Sequence, residues 1–416
     1  GTIDAIETIA LDFDEILIAI PSAKGEQMRR IVALCEKTGK RYRTMPGLGE
    51  LIDGKVSVGK LREVKLEDLL GRDEIHLDRE VIRRFLEGKR ILVTGAGGSI
   101  GSELVRQICR FQPRELALLE FSEYNLFRTE MRCRQDFPDV AVRSFLRDIR
   151  DTEGVRRVFT AFRPEVVFHA AAYKHVPIQE MNAQEAVFNN VLGTRNLVDT
   201  ACEGGVESFV FVSTDKAVRP TNVMGATKRV AEMYVASMNG AARTRFMAVR
   251  FGNVLGSSGS VVPIFQQQIA EGHPVTVTHP DVTRYFMTIP EACQLILQAG
   301  AMGEGGEIFI LDMGKPVRIA DMARDLIHLH GLEPEKDVPI AYIGLRPGEK
   351  LQEELITEGE GIAPTTHAKI RVIRGQSGDA RSLGGRIDEL LSLADTYDAD
   401  RIKDKLRKIV PEYTPQ

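Results

Sequence analysis

The sequence predicts an α/β protein: a doubly wound parallel sheet with a smaller α+β region, preceded by a truncated βαβ piece. Three observations carry this. From Lys89 onward short apolar runs alternate with helical patterns, as parallel strands covered on both faces require. The first run, Ile91-Leu92-Val93, leads into Thr94-Gly95-Ala96-Gly97-Gly98-Ser99-Ile100-Gly101 and then a helical pattern through Leu104, Val105 and Ile108. The next run, Leu116 to Leu119, ends on Glu120, about twenty residues beyond the turn, the spacing of a Rossmann dinucleotide fingerprint.

In chain order, residues 1–74 read as a truncated Rossmann-like accessory domain. Ile16 to Ile20 has a buried-strand pattern, Met28, Ile31, Val32 and Cys35 share a helical face, and Arg41 to Met45 alternates like a second strand. No glycine turn follows that first strand. The charged stretch Gly71-Arg72-Asp73-Glu74 and the helical pattern Val81, Ile82, Phe85, Leu86 read as a connector. Residues 75–254 form the expected dinucleotide-binding domain, with further strands at Val140 to Phe145, Val166 to Phe168, Phe209 to Val212 and Arg245 to Val249. Residues 255–416 form the expected substrate-binding region and C-terminal helices, with the chain crossing between these last two domains. A glycine-serine loop at Gly252 to Ser260 suits a polar ligand, and helical patterns at Glu291 to Ala299 and Ile319 to Leu329 flank the strand Ile308 to Leu311. The charged turn Arg346-Pro347-Gly348-Glu349-Lys350 follows. Mobile loops are expected near Gly359-Glu360-Gly361 and Gly375-Gln376-Ser377-Gly378, and two amphipathic helices between Gly385 and Val410.

At the glycine turn, Gly95 and Gly98 would let a pyrophosphate approach the backbone, Gly101 would let the helix lie close on the sheet, and the N–H groups of Ser99 and Ile100 would face the phosphates. A carboxylate at Glu120 would bond a ribose 2′-hydroxyl and repel a 2′-phosphate, favouring NAD over NADP, with Arg128 nearby to moderate the preference. Asp148-Ile149 follows a strand end from which a side chain reaches the adenine end, and Ala170 and Ala171 are small enough for backbone to lie against a cofactor. The richest chemistry is Ser213-Thr214-Asp215-Lys216 at the end of a buried strand, followed by Met224 to Lys228. A carboxyl and an amine in a partly desolvated cleft can act as acid and base on neighbouring atoms.

Composition narrows the partners. A formal charge of -4 with both signs interspersed gives no footprint for a nucleic acid or an anionic membrane surface. The five cysteines are scattered without a C-x-x-C pair, which argues against a disulfide framework or a zinc site and for a reducing cytoplasm. His169, His175, His328 and His330 read as structural or surface histidines, so no metal is expected. No apolar run approaches the roughly twenty residues that span a bilayer. The chain starts at Gly1-Thr2 without methionine and reads as a piece of a longer protein.

Taken together, the turn at Thr94 to Gly101, Ser213-Thr214-Asp215-Lys216-Ala217, Lys228, Arg250-Phe251-Gly252-Asn253-Val254 and Arg346-Pro347-Gly348-Glu349-Lys350 resemble the extended short-chain dehydrogenase/reductase superfamily. Within it the chain is similar to bacterial UDP-N-acetylglucosamine 4,6-dehydratases of the polysaccharide-biosynthesis type, from about Ile75 to about Leu355. The resemblance implies oxidation at sugar C4 by NAD, loss of the C6 hydroxyl, and return of hydrogen to C6. It assigns the C5 base to Lys216, the C6 acid to Asp215, a hydrogen bond near O4 to Thr214, and the nicotinamide ribose to Lys228. Arg284 and Arg346 would bind the UDP pyrophosphate, Asn253 and Glu349 would add polar contacts, and Lys174 would line the sugar pocket. It further implies a homo-oligomer and a parent held in the bacterial inner membrane by a segment missing here, its catalytic part in the cytoplasm.

Where most of the superfamily places a tyrosine four residues before the active-site lysine, this chain has Met224, as long members of the dehydratase family do. A thioether cannot take the C4 hydroxyl proton, which directs that role to Asp215, directly or through Thr214. Resemblance to those long members favours retention of configuration at C5. A 4-epimerase would lack a C5 base, and Lys216 beside Asp215 speaks against it. A dinucleotide-binding sensor without turnover would leave Asp215 and Lys216 dispensable.

Overall fold

Seven strands run parallel, in the spatial order Val142–Leu146, Glu115–Glu120, Arg90–Thr94, Val166–His169, Ser208–Val212, Arg245–Arg250 and Ile308–Leu311. This computed structural model describes residues 2–8, 12–20, 22–23, 25–45, 61–71, 75–240, 243–356, 361–374 and 380–415. After Arg90–Thr94 the chain fills one side of the sheet for two strands and then turns to the other side with Val166–His169. That reversal opens a crevice at the carboxyl ends of the two central strands. Ile91, Leu92, Val93, Phe209, Val210 and Phe211 have no measurable exposure, as expected where helices cover both faces. The sheet continues past Ile308–Leu311 with Ile370–Ile373 and then Ile362–Pro364, each paired antiparallel to the strand before it, an extension absent from the sequence expectation.

The described residues cluster into two compact units. One contains residues 77–258, 284–315 and 345–416; the other contains 1–76, 259–283 and 316–344. In the first, the helix Arg79–Leu86 is more than the expected connector. Ile82 and Leu86 are fully buried, and the Phe85 ring meets Phe168 edge-on at 6.2 Å. Burying two such side chains contributes about 1.5–3 kcal/mol each, which ties the segment to the sheet. The glycine turn opens the helix Ser99–Cys109. A widened π turn, Val187–Leu192, runs into the helix Gly193–Glu203, and Val223–Ser237 is buried along nearly its whole length. The tail forms two helices, Ala380–Ala394 and Ala399–Ile409, whose buried Leu383, Ile387, Leu390, Ile402, Leu406 and Ile409 join the same core.

In the second unit, Glu15–Ile18 and Arg41–Thr44 pair in parallel across the helix Glu26–Lys37, whose apolar face is Met28, Ile31, Val32 and Cys35. Segments from much later in the chain complete it. Val275–Val277 pairs in parallel with Ile340–Tyr342, and the helix Ile319–Leu329 packs Leu329 on the N-terminal core while Asp325 accepts from Arg29 at 3.0 Å. The expected loops at Gly359-Glu360 and Gly375 to Gly378, and Arg72-Asp73-Glu74 of the connector, lie outside the described residues. Among the described residues no helix is long and apolar enough to cross a membrane, and no group of His, Cys, Asp and Glu could hold a metal ion.

Candidate active site

The crevice beside the glycine turn is shaped mainly by backbone. Gly95 has φ +63°, and a side chain there would meet the Ala171 backbone at 2.7 Å; a side chain at Gly101 would stand 1.9 Å from the Gly95 carbonyl. Strand, turn and helix therefore close on one another with no room for a methyl group. The helix Ser99–Cys109 starts at Gly98 without a side-chain cap, which leaves first-turn N–H groups, those of Ser99 and Ile100 among them, able to take an anion. Gly95, Gly98, Glu120, Asp148, Ile149, Ala170 and Ala171 line one cleft. Its surroundings qualify two of them. Glu120, 4% exposed, already accepts from the Gly97 and Ser122 N–H groups at 3.0 and 3.1 Å, which fixes its carboxylate against the turn. Asp148 accepts from Arg150 Nε and Nη2 at 2.9 and 2.6 Å, and these bonds outweigh burial and hold its carboxyl below the usual range. Ser99 Oγ lies 3.4 Å from Ser258 Oγ, and the Ile149 side chain packs against Gly193.

Beneath the crevice His169 is sealed. Thr194 donates its hydroxyl to the Asn190 carbonyl at 2.7 Å, so at 3.0 Å it accepts from His169 Nε2; Nδ1 is then the acceptor for Thr94 Oγ1 at 2.7 Å. Burial pushes its pKa well down, with Lys228 adding to the effect. This imidazole is neutral and structural.

The charged cluster lies at the carboxyl end of Ser208–Val212, where Thr214 caps the short turn Asp215–Ala217. Asp215 has no exposed surface. Its Oδ1 accepts from Thr214 Oγ1 at 2.9 Å and Lys216 Nζ at 3.1 Å, while Oδ2 is buried without a hydrogen-bond partner. Lys216 Nζ also donates to Asn253 Oδ1 at 3.1 Å and lies 3.4 Å from Glu353 Oε1. Burial raises the Asp215 pKa against the pull of Lys216, with Glu353 adding to the rise. Burial would lower that of Lys216, but Asp215 and Glu353 outweigh it and the ammonium is held more firmly than usual.

The helix Val223–Ser237 presents Met224 and Lys228 one turn apart. A side chain at Gly225 would sit 2.1 Å from the Lys216 carbonyl, so only glycine lets this helix rest on the turn Asp215–Ala217. Met224 is 3% exposed. Lys228 Nζ donates to the Val212 carbonyl at 2.7 Å and lies 3.9 Å from the centre of the Phe211 ring, and burial pushes its pKa down to about 7.

The expected substrate residues are arranged unequally. Asn253 touches Lys216. Arg284, buried, donates Nη2 to Glu349 Oε1 at 3.1 Å and Nη1 to the Leu351 carbonyl at 3.3 Å, with Nε 3.8 Å from Glu353. Glu349 Oε2 in turn accepts the Arg346 N–H, while the Arg346 side chain is exposed. Lys174 Nζ donates to Ser257 Oγ at 3.2 Å, and burial together with the charge of Lys216 lowers its pKa.

Sequence reasoning missed Glu353, which stands three residues past the Arg346 to Lys350 turn. It is 7% exposed, with Oε2 buried and unpartnered; burial raises its pKa, and Lys216, Arg284 and Lys350 more than offset that. The only signal was its place in the acidic pair Glu353-Glu354. Also missed was Asn190 in the π turn, which accepts the Tyr173 N–H at 2.9 Å, donates to its carbonyl at 3.0 Å, and so fixes the chain entering Lys174.

Comparison with known proteins extends the picture. The chain is 48% identical over 377 residues to the probable polysaccharide biosynthesis protein EpsC of Bacillus subtilis, an alignment covering 90% of this chain and 62% of that protein; the chain thus spans about three fifths of that relative's length. It is 36% identical to a Campylobacter jejuni protein named UDP-N-acetylglucosamine 4,6-dehydratase (inverting), over 66% of this chain and 79% of the other. Among solved structures, Pen from Bacillus thuringiensis superposes with a TM-score of 0.65 at 35% identity, covering 71% of this chain and 92% of that one. The profile of the family described as "Polysaccharide biosynthesis protein" matches residues 91–375, the stretch holding both the glycine turn and the charged cluster, and this chain belongs to that family.

Proposed function

We propose that this chain catalyses the 4,6-dehydration of a UDP-N-acetylhexosamine, UDP-N-acetylglucosamine foremost, to a 4-keto-6-deoxy sugar for cell-surface polysaccharide or glycoprotein synthesis. The observation that carries the reading is the pair of buried carboxyls Asp215 and Glu353 facing the partly exposed Lys216 at a strand end, with two carboxylate oxygens left unpartnered. Buried polar atoms are almost always satisfied, so such orphans mark a place built for a ligand's hydrogens. The dehydratase relative supports the same reaction class.

The crevice fits a nicotinamide dinucleotide: an uncapped helix start for the pyrophosphate, Gly95 and Gly98 where a side chain would intrude, and Glu120 for the ribose hydroxyls of NAD. When bound, the nicotinamide supplies an acceptor for hydrogen from sugar C4 and a donor to C6. This chain's residues do the rest. Lys228 holds the nicotinamide ribose, and Thr214 orients the C4 hydroxyl toward Asp215, which takes its proton. Asp215, its pKa already raised, then hands that proton to the leaving C6 oxygen. Lys216 removes the C5 proton, made acidic by the ketone, and returns it to the same face, so C5 keeps its configuration. Arg284, with Glu349 beside it, and Arg346 hold the diphosphate; Asn253 positions Lys216, and Lys174 lines the sugar pocket.

Incubation with UDP-N-acetylglucosamine in deuterated water, followed by NMR of the product, tests this. Loss of the C6 oxygen with deuterium at C5 in the original configuration is the expected result. A C4-epimerised sugar without deuterium at C5, or a sugar bound and recovered unchanged, would replace the dehydratase with an epimerase or a sensor.

A further inference from the structure

We propose that Cys109 and Cys133 are a modification site, a thiol pair that closes into a reversible disulfide when a peroxide reaches it. Cys109 ends the helix Ser99–Cys109, and Cys133 lies in the last turn of the helix Glu123–Asp136, 24 positions further along the chain. Their Sγ atoms stand 3.2 Å apart, and the two residues are 2% and 4% exposed. A disulfide bond is about 2.05 Å long, so the sulfurs have only about 1 Å to travel. The other cysteines are placed differently. Cys293 Sγ donates to the Ile100 carbonyl at 3.5 Å, and burial pushes the thiols of Cys35 and Cys202 up to about 11. Among the described residues no second pair of sulfurs is in contact.

The two thiols of the pair are unequal. Cys109 donates its S–H to Cys133, and this bond outweighs burial and the charges of Asp136 and Glu130 to hold the Cys133 thiol below its ordinary value; the same bond pushes Cys109 up. Cys133 is therefore the nucleophile and Cys109 the resolving thiol. Cys133 also borders a cavity of about 130 Å³, shared with Gly97, Arg106, Asn125, Arg128 and Arg132. A water takes up about 30 Å³ of liquid, so a molecule of two oxygens has room there.

The step balances with hydrogen peroxide as the oxidant. The Cys133 thiolate attacks one peroxide oxygen; an S–O bond forms, the O–O bond breaks, and the departing hydroxide leaves as water with the proton that Cys133 has shed. Cys109 then attacks the sulfur of the resulting sulfenic acid. The S–S bond forms, the S–O bond breaks, and the Cys109 proton leaves with that oxygen as a second water. The two sulfurs together lose two electrons, and the peroxide gains them. A dithiol reverses the bond by exchange. The two helices already meet beside the glycine turn, where Glu120 accepts the Gly97 N–H and a side chain at Gly97 would stand 2.4 Å from Asn125 Cβ. The disulfide would tie them at their other ends as well. None of this depends on the dehydratase reading.

The test counts thiols in the whole chain after hydrogen peroxide treatment and unfolding, and maps the bond by mass spectrometry. The expected result is a fall from five thiols to three within a single chain, with a Cys109–Cys133 bond and a return to five in dithiothreitol. In Cys109→Ser the sulfenic acid at Cys133 has no resolving partner and should be trapped by dimedone, whereas Cys133→Ser should lose its thiols at least about tenfold more slowly than wild type. Five thiols retained, a bond between chains, oxidation falling first on Cys202, the least buried of the five, or a Cys133→Ser variant that oxidises as fast as wild type overturns the inference. If near-ultraviolet circular dichroism shows that a serine variant does not fold, the wild-type thiol count and bond map decide alone.

Discussion

Two ion pairs with buried carboxyls sit at the ends of adjacent strands of the sheet, and they are finished to different degrees. At the end of Arg245–Arg250, Arg250 donates Nε and Nη2 to the two oxygens of Glu232, both at 2.8 Å, and Arg229 adds a third contact. At the end of Ser208–Val212, Asp215 and Glu353 face Lys216 through one oxygen each and leave the other oxygen unpartnered. Burial raises the pKa of both Glu232 and Asp215, but Arg250 reverses it for Glu232 and holds it low, whereas Asp215 stays high. The closed pair supports the fold. The open set has spare capacity at the site proposed for chemistry.

The largest effect that would sharpen this contrast is Arg250→Met. It strands Glu232 in the core, and urea denaturation should show a loss of about 3–5 kcal/mol. A loss below about 1 kcal/mol would mean that the pair is not a support. Asp215→Asn should do the reverse: stability at neutral pH within about 1 kcal/mol of wild type, while dehydration and the absorbance of the reduced cofactor both fall by at least about 10²-fold. Retained cofactor reduction would move the C4 proton to another group.

The two carboxyls also predict opposite pH behaviour. Glu232, with its pKa lowered on folding, contributes stability that is present above its unfolded value and lost as pH falls through the folded one; Asp215, raised, costs stability that is relieved as pH falls. Acid titration of thermal unfolding should therefore be shallower in Arg250→Met than in wild type, and any gain from Asp215→Asn should vanish on acidification. The smallest effect is at Lys228. With its folded pKa near 7, the unfolded chain binds the extra proton between there and the ordinary lysine value. Lys228→Met should raise the melting temperature at pH 6–7, and the gain should shrink as pH rises toward 10.

How much of this was legible in the sequence follows from how local each feature is. The strands and the glycine turn were readable because strand, turn and helix are neighbours along the chain. The run Ser213 to Lys216 was readable because one strand end carries three of the chemical groups. Glu353 was not, since 137 positions separate it from Lys216 and only the packing of its loop brings them together. Likewise, that residues 316–344 cluster with residues 1–76 depends on long-range packing, such as Asp325 on Arg29, which no periodicity encodes. The antiparallel strand Ile370–Ile373 is four residues long with Arg371 in its middle, too short and too mixed to declare itself.

Gly225 has a consequence for what the site can become. Because Gly225 lets the helix bearing Met224 rest directly on the carbonyl of Lys216, any added side chain at 225 would push that helix away, and Met224 itself is almost wholly enclosed. Installing the superfamily's tyrosine at 224 would have to place a phenol where the methionine side chain is already 3% exposed. One glycine thus sets how near position 224 stands to the turn that carries Asp215 and Lys216.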